Sequence, residues 1–256
     1  MNPKSKNILL TGASTGIGYA LAKRLAAEGA NLALAARSKD VLDKLANELS
    51  SKDNIVKAYH CDVTDKNSIN ECVRNVSSDF GTIDVAILNS GVSLRSHSSQ
   101  TKSDIAENIF NVNTLSIHHF TEALLPVFKN NKQSFLVGVT SLADVRGFPG
   151  SGLYSASKAA ASTLLECMRI ELKKLNIKVL IVKPGFVKTP MTDKNEFFMP
   201  FMLTADKAAG AIVKGIKREK KIISFPFPIV WSTKILKIMP NWLFDFLLSQ
   251  KLPAKK

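Results

Sequence analysis

The chain alternates short, almost uniformly apolar runs with longer stretches of helical periodicity, and this alternation limits what it can fold into. Seven runs are predicted as strands, at residues 7–10, 31–36, 54–59, 84–88, 134–139, 178–182 and 221–225. Helical periodicity fills the intervals, as in residues 16–28 and 39–49. Strands without a polar face are typical of parallel sheets covered by helices on both sides. The sequence therefore predicts an α/β fold with a doubly wound parallel sheet of about seven strands.

The arrangement of these elements predicts one domain. The 256 residues contain no internal repeat and no low-complexity linker, and single α/β domains often reach this length. We expect the sheet and its helices to occupy residues 1–225 and a helical extension to occupy residues 226–256. Within the domain, residues 186–203 lack clear periodicity and are too numerous for a simple connector, which predicts a functional loop or lid.

The segment 186–203 is rich in large apolar side chains, including three of the six methionines of the chain. Such a loop suits an adaptable cover over an apolar ligand. Packing of the same side chains on the core is an equal alternative. The residues concerned are Phe186, Met191, Phe197, Phe198, Met199, Phe201 and Met202.

The cysteines and histidines are too few and too scattered to form a metal site. Cys61, Cys72 and Cys167 lack metal-ligand spacing, and an odd number of cysteines suits free thiols in a reducing compartment. His118 and His119 are adjacent but have no further ligand nearby in the sequence. The N-terminus leads directly into a strand pattern without a signal-peptide run. We predict a cytoplasmic protein that binds no metal.

The formal charge of +14 is concentrated at the C-terminal end. Residues 214–256 hold ten Lys or Arg against two Asp or Glu, a net +8. We do not expect a nucleic-acid partner, because the chain has no helix-turn-helix, zinc-finger or aromatic RNA-binding signature. Anionic lipid, a phosphorylated ligand and plain solubility are the explanations that remain.

Residues 226–256 also contain both tryptophans, Trp231 and Trp242, and Pro240 splits the segment into two predicted short helices. Basic residues beside such aromatic side chains can lie on a membrane surface. On a free monomer, however, an exposed apolar helix face promotes aggregation. We therefore expect the protein body or a second subunit to cover this tail, with peripheral membrane contact as the alternative.

A glycine-rich turn follows the first strand, in the sequence Thr-Gly-Ala-Ser-Thr-Gly-Ile-Gly at residues 11–18. Glycines allow a tight turn and a close approach to a pyrophosphate, and the next helix directs its N-terminal N–H groups at the phosphates. Glycine triplets alone are common, but this one lies between a strand and an amphipathic helix. The pattern predicts a dinucleotide site that includes Gly12, Ser14, Thr15, Gly16, Ile17 and Gly18.

The end of the second strand indicates which dinucleotide. NAD sites usually carry a carboxylate near this position to bind the ribose 2′-hydroxyl. Here Ala36 and Arg37 stand instead. A guanidinium offers several donors to a 2′-phosphate, whereas a solvated surface arginine is the alternative interpretation. The sequence predicts NADP(H) as the cofactor, with Arg37 as its 2′-phosphate ligand.

A tyrosine and a lysine lie four residues apart at the start of a later helix, as Tyr154 and Lys158. Residues at this spacing share a helix face. A free tyrosine has a pKa near 10, and a nearby cation lowers it by stabilising the phenolate. Taken alone, such a pair is usually a surface pair. The Tyr154–Lys158 pair becomes significant because two further polar residues accompany it. Ser141 follows a predicted strand thirteen residues before Tyr154, and Asn113 lies in a helical region.

Across residues 6–190 the chain resembles the short-chain dehydrogenase/reductase family. One departure is Leu88, where family members often carry a polar residue, and we interpret it as a change in the scaffold. The resemblance implies a Rossmann-type fold, a homo-oligomer (dimer or tetramer) and a carbonyl or alcohol substrate. It rests on the glycine motif, Asp62-Val63, Asn89-Ser90-Gly91, Asn113, Ser141, Tyr154 with Lys158, and Pro184-Gly185 with Thr189.

The resemblance also implies the role of each catalytic residue. Tyr154 would be the general acid in reduction and the base in oxidation. Lys158 would lower its pKa and hold the nicotinamide ribose. Ser141 would bind the substrate carbonyl, and Asn113 would anchor a water relay to Lys158. The family pattern thus implies an oxidoreductase, and Arg37 indicates NADP(H) as its cofactor.

The remaining cofactor contacts follow from the same resemblance. Asp62 and Val63 would border the adenine, and Asn89 and Gly91 would line the cofactor channel. Thr189 and the backbone of Pro184, Gly185 and Val187 would meet the carboxamide. Two alternatives stay open: a nucleotide-binding sensor that has lost turnover, and a peripheral membrane protein built on the same fold.

Overall fold

The computed structural model describes residues 1–94, 98–99, 101–195 and 197–249. Its centre is a seven-stranded parallel sheet in the order β3-β2-β1-β4-β5-β6-β9. The seven predicted strands are confirmed, with ends that differ by one or two residues. They are β1 (Asn7–Thr11), β2 (Asn31–Ala36), β3 (Val56–His60), β4 (Val85–Leu88), β5 (Ser134–Val139), β6 (Ile177–Pro184) and β9 (Ile222–Phe225).

Helices connect the strands and cover both faces of the sheet, as predicted. A π-helical turn, Asn111–Leu115, separates α4 from α5, and short 3₁₀ turns form at Leu142–Val145 and Leu172–Leu175. The helices are α1 (Gly16–Ala27), α2 (Lys39–Leu49), α3 (Lys66–Phe80), α4 (Ser103–Phe110), α5 (Ser116–Phe128), α6 (Gly152–Glu171), α7 (Ala205–Lys217), α8 (Phe227–Ile238) and α9 (Asn241–Ser249).

Two apolar layers hold the helices on the sheet. Helices α1, α2 and α7 pack with Leu10 and Leu34 on one face, and α3, α5 and α6 pack with Leu9 and Ala33 on the other. Neighbouring strand residues point to opposite faces, so a strand buried on both sides must be apolar at every position. This explains why the inner strands could be recognised as nearly continuous apolar runs, whereas the edge strands β3 and β9 also contain exposed residues.

The segment 186–203 leaves the sheet and returns to its starting point. Two short strands, β7 (Val187–Lys188) and β8 (Leu203–Thr204), pair at its base. Within it, the rings of Phe186 and Phe197 are 6.0 Å apart. Phe198, in contrast, is 87% exposed. The aromatic side chains of this loop are therefore divided between internal packing and solvent.

The predicted C-terminal helical extension is confirmed as α8 and α9, which break at Pro240. Arg146 fastens it to the body, because its guanidinium donates to the carbonyls of Leu236 (3.2 Å) and Met239 (2.9 Å). The same guanidinium lies 4.1 Å from the centre of the Phe244 ring, which is buried. Within the described ranges, no helix is both long enough and apolar enough to cross a membrane.

Phe244→Ala should release α9 from the body, because Phe244 is the buried side chain of that helix and its ring packs edge-on against Phe148. We expect a loss of about 3 kcal/mol in the free energy of unfolding, as for other buried phenylalanines. The measurement is urea denaturation. Trp242→Ala, on the same helix but 71% exposed, is the matched control and should change the free energy little. Equal losses would mean that Phe244 does not anchor the helix.

Candidate active site

A cleft of about 330 Å³ opens at the carboxyl ends of the central strands. It lies where the strand order reverses, between β1 and β4, which is where open α/β sheets bind ligands. All predicted site residues line it except Gly18 and Asn113. The lining residues among those predicted are Gly12, Ser14, Thr15, Gly16, Ile17, Arg37, Asp62, Val63, Asn89, Gly91, Ser141, Tyr154, Lys158, Pro184, Gly185, Val187 and Thr189.

The glycine-rich turn between β1 and α1 needs glycine for steric reasons. Gly12 and Gly16 have φ values of +64° and +56°, which disfavour side chains. Gly18 lies beneath the turn, where an added Cβ would be 2.0 Å from the carbonyl oxygen of Gly12. This contact explains why Gly18 supports the cleft without lining it.

The N-terminus of α1 is free to receive an anion. Its first turn holds no acidic residue, and among the described residues the Thr15 side chain makes no capping hydrogen bond. The N–H groups and the positive dipole end therefore remain for a negatively charged group in the cleft. These features fit the pyrophosphate of a dinucleotide.

Asn89 fastens the end of β4 to the glycine turn. Its side-chain amide donates to the carbonyls of Thr11 and Gly12, at 3.2 Å each. The Asn89 backbone N–H also donates to the Thr11 hydroxyl at 3.0 Å. The neighbouring Leu88, which departs from the family pattern, is buried in the sheet.

At the end of β2, the exposed Arg37 lies near Asp62 at the end of β3. Desolvation raises the pKa of Asp62, but hydrogen bonds from Thr64 and the charges of Arg37 and His60 outweigh it, so the pKa is lowered. Thr64 donates both its N–H (2.9 Å) and its hydroxyl (2.7 Å) to that carboxylate. Asp62 is thus held by Thr64, and Arg37 remains accessible from the cleft.

Helix α6 carries Tyr154 and Lys158 one turn apart beside the end of β5. The helix approaches the strand closely because Gly138 lacks a side chain, and an added Cβ there would be 2.3 Å from Leu165. Lys158 is buried, and its Nζ donates to the carbonyl of Val139 at 3.1 Å. Burial lowers the pKa of Lys158 to about 8, although the negative charge of Asp144 opposes this.

The Tyr154 side chain is hydrogen-bonded to Ser141 in the wall of the cleft. Burial raises the pKa of the phenol, the hydrogen bond with Ser141 lowers it, and the charge of Asp144 raises it further, so the pKa is above its usual value. Ser141 directly follows Thr140 after β5, and its hydroxyl accepts from the N–H of Ala143 at 3.1 Å. The lowering of the Tyr154 pKa by Lys158 stays a prediction.

Asn113 is buried in the π-helical turn behind the cleft. Its carbonyl oxygen accepts from the N–H of Val92 at 2.9 Å, and its amide donates to the carbonyl of Val92 and the hydroxyl of Ser157. It thus connects the loop after β4 to α6. Single π-helical turns often occur at functional sites. The water relay proposed for Asn113 stays a prediction.

The sequence did not point to the ion pair between Asp144 and Lys183 at the base of this site. Their charged groups are 2.8 Å apart, and the two side chains are only 9% and 18% exposed. The Ser162 hydroxyl also donates to Asp144. The pair joins the turn after Ser141 to the end of β6. In the sequence, only their proximity to predicted site residues could have indicated this pair, since Asp144 lies three residues after Ser141 and Lys183 precedes Pro184.

Two hydroxyl residues beside Arg37 and Asp62 were also missed, Ser38 and Thr64, and both line the cleft. Ser38 directly follows Arg37, which was the signal available in the sequence. Across the part of the chain that the structure describes, no group of three His, Cys, Asp or Glu side chains is placed to hold a metal ion. Cys61, Cys72 and Cys167 are free thiols.

The chain matches known proteins over most of its length. The family model for short chain dehydrogenase matches residues 6–199. An uncharacterized oxidoreductase of Myxococcus xanthus is 34% identical over 94% of this chain and 95% of its own length.

Solved structures show the same fold. The alcohol dehydrogenase of the archaeon Thermococcus sibiricus, complexed with 5-hydroxy-NADP, superposes with a TM-score of 0.79 at 29% identity, covering 87% of this chain and 95% of the other. A short-chain dehydrogenase/reductase from Burkholderia phymatum in complex with NAD gives 0.84 at 21% identity, covering 100% and 99%. The family model, the relative and the superposed folds agree with the cleft described above. The chain therefore belongs to the short-chain dehydrogenase/reductase family of oxidoreductases.

Proposed function

We propose that this oxidoreductase transfers hydride between NADP(H) and an apolar carbonyl or alcohol substrate. The observation that carries the proposal is the arrangement of a single cleft: Ser141, Tyr154 and Lys158 meet at one part of its wall, and Arg37 belongs to another. The bound nicotinamide supplies the hydride chemistry. The chain itself supplies the proton and the orientation of the substrate.

In the reductive direction, the Tyr154 hydroxyl donates its proton to the substrate carbonyl oxygen. Ser141 donates a hydrogen bond to the same oxygen, which stabilises the negative charge that develops there. Burial keeps the pKa of Tyr154 high, so the phenol holds its proton until the substrate oxygen can accept it. In this proposal Lys158 holds the ribose and, when protonated, stabilises the phenolate that remains.

The preference for NADP(H) is supported by charge at the end of β2. Arg37 is exposed, and Ser38 adds a hydroxyl donor beside it. Asp62, the nearby carboxylate, already accepts two hydrogen bonds from Thr64. The similar structures bind either cofactor, since the Thermococcus sibiricus enzyme is complexed with an NADP derivative and the Burkholderia phymatum protein with NAD, so the proposed preference depends on the charge of Arg37.

An apolar substrate is supported by the loop 186–203, in which Met191 lines the cleft and Phe198 and Phe201 are exposed.

We infer a cytoplasmic location from the three free cysteines. A homo-oligomer, and the division into a catalytic domain at 1–225 and a tail at 226–256, also remain our proposals. Residues 95–97, 100, 196 and 250–256 of these segments lie outside the described ranges.

Tyr154→Phe tests the proposed function most directly. The variant lacks only the proton donor, so turnover with a panel of aldehydes, ketones and alcohols should fall about 10²- to 10⁴-fold. NADPH binding, measured by fluorescence titration, should stay nearly unchanged. Tyr19→Phe, which removes a hydroxyl away from the cleft, is the control. A wild type that binds NADPH but turns over no carbonyl or alcohol in the panel would favour the sensor instead.

Arg37→Asp tests the choice of cofactor. The change removes the cation that would bind the 2′-phosphate and introduces an acceptor for a ribose hydroxyl. Affinity for NADPH should fall about 10- to 100-fold, the effect of one charged hydrogen bond, and affinity for NADH should rise. Lys44→Asp makes the same charge change on the exposed surface of α2 and controls for net charge. Equal binding of NADH and NADPH by the wild type would contradict the proposal.

Asp144→Asn tests the electrostatic role of the buried ion pair. Its carboxylate raises the pKa of both Tyr154 and Lys158, so both values should fall in the variant. Alcohol oxidation needs the phenolate, and the acidic limb of the kcat/KM profile should therefore move to lower pH. Lys183→Met leaves the carboxylate unopposed and should move the limb to higher pH. Shifts in the same direction would indicate structural damage rather than an electrostatic effect.

A further inference from the structure

Helices α8 and α9 each present large apolar side chains to solvent, which together we call the outer face. It consists of Phe227, Trp231, Ile235 and Ile238 on α8, and Trp242 and Phe246 on α9. All six side chains are more than half exposed, with Ile238 at 82% and Phe227 at 73%. Their spacing of three or four residues along each helix places them on one side of it. Exposed apolar groups of this size usually mark an interaction surface.

The opposite side of these helices already has its partners. Phe244 is buried near Phe148 and Arg146. Arg146 also donates to the carbonyls at the end of α8 and to the side-chain oxygen of Asn241. Ile229 on α8 packs near Gly185 at the edge of the cleft. The body therefore holds the helices in place but does not cover the outer face.

Positive charge accompanies the exposed aromatic side chains. Lys234 and Lys237 are exposed on α8, and the Nζ of Lys234 lies 5.4 Å from the centre of the Trp231 ring. By sequence, residues 226–256 hold five lysines and one acidic residue, Asp245. Long basic side chains beside tryptophan suit a boundary between hydrocarbon and anionic headgroups, because the stem stays in apolar surroundings while the ammonium reaches the headgroups.

We propose that the outer face of α8 and α9 binds the surface of an anionic lipid bilayer. Charge decides between the two occupants available to such a face. A second copy of the chain would bring together two tails that each carry a net +4 over residues 226–256, whereas an anionic bilayer neutralises that charge. The helices lie on the surface, because none of those described is able to span a membrane.

The tryptophans allow the proposal to be tested directly. The chain contains two, and both belong to the outer face, so the intrinsic emission reports on this surface alone. Vesicles of mixed phosphatidylcholine and phosphatidylglycerol, added to the full-length protein, should shift the emission to the blue. Vesicles of phosphatidylcholine alone should give a weaker effect. Added salt should reduce binding to the mixed vesicles. The readout is lipid binding and does not depend on turnover.

A matched pair of double variants distinguishes binding through the outer face from nonspecific binding through other exposed apolar side chains. Phe227→Ser with Ile238→Ser retains both tryptophans as reporters and should weaken binding to the mixed vesicles roughly tenfold or more, since two large apolar side chains are lost. Ile55→Ser with Ile170→Ser removes two exposed apolar side chains elsewhere, at 55% and 70% exposure, and should leave binding unchanged. Unchanged melting temperatures would verify that both variants are folded.

A second pair tests the charge argument. Lys234→Gln with Lys237→Gln should weaken binding to the mixed vesicles, and Lys173→Gln with Lys174→Gln, also exposed, should not. Three results would overturn the proposal. The emission could stay unchanged with anionic vesicles, or each control pair could weaken binding as much as its test pair. Sedimentation could instead show a dimer that Phe227→Ser with Ile238→Ser dissociates, while vesicles do not bind, which would assign the face to a second copy.

Discussion

Burial of the central sheet on both faces is the constraint on which the other features depend. Parallel strands with apolar residues on each side need helices above and below. The crossovers then bring the carboxyl ends of all the strands to one edge. The glycine turn after β1, the loop after β4, the Ser141 turn after β5 and the Pro184 end of β6 meet there for that reason. The cleft is a consequence of how the core is covered.

Burial of Tyr154 and Lys158 shifts the pKa of each group in the cleft. Burial lowers the pKa of Lys158 and raises that of Tyr154, because each charged form loses hydration. The carboxylate of Asp144 acts on both groups and is itself held by Lys183 and Ser162. A buried ion pair of this kind adds little net stability, but it is costly to break. It fixes the turn that carries Ser141 in one position relative to β6.

The C-terminal helices α8 and α9 have apolar side chains that the body covers and others that it leaves exposed. Arg146 follows the Ser141 turn and also holds the end of α8, so that turn and the C-terminal extension share one anchor. Phe244 completes the inner packing. The outer face has no such partner among the described residues. Both helices of the tail thus have an inner side that contacts the body and an outer side with exposed apolar side chains.

The sequence by itself determined the strands, the parallel sheet, and more than half of the residues that line the cleft. Continuous apolar runs identify buried strands directly, and the glycine turn and the Tyr154–Lys158 spacing are local patterns. Even the break at Pro240 was local, because proline interrupts helices. The boundaries of β3 and β4 shifted by one or two residues, since propensity at strand ends depends on neighbouring strands.

Tertiary structure alone decided what was not local. Asp144 and Lys183 are 39 positions apart in the sequence, and only the packing of β6 beside the Ser141 turn brings their charges together. Asn113 forms hydrogen bonds with Val92 and Ser157, which lie on other elements. The helical pattern of the tail predicts one apolar face on each helix, but which of its side chains the body covers depends on contacts with Arg146 and Phe148. Such contacts join distant parts of the chain, and no periodicity within a single segment encodes them.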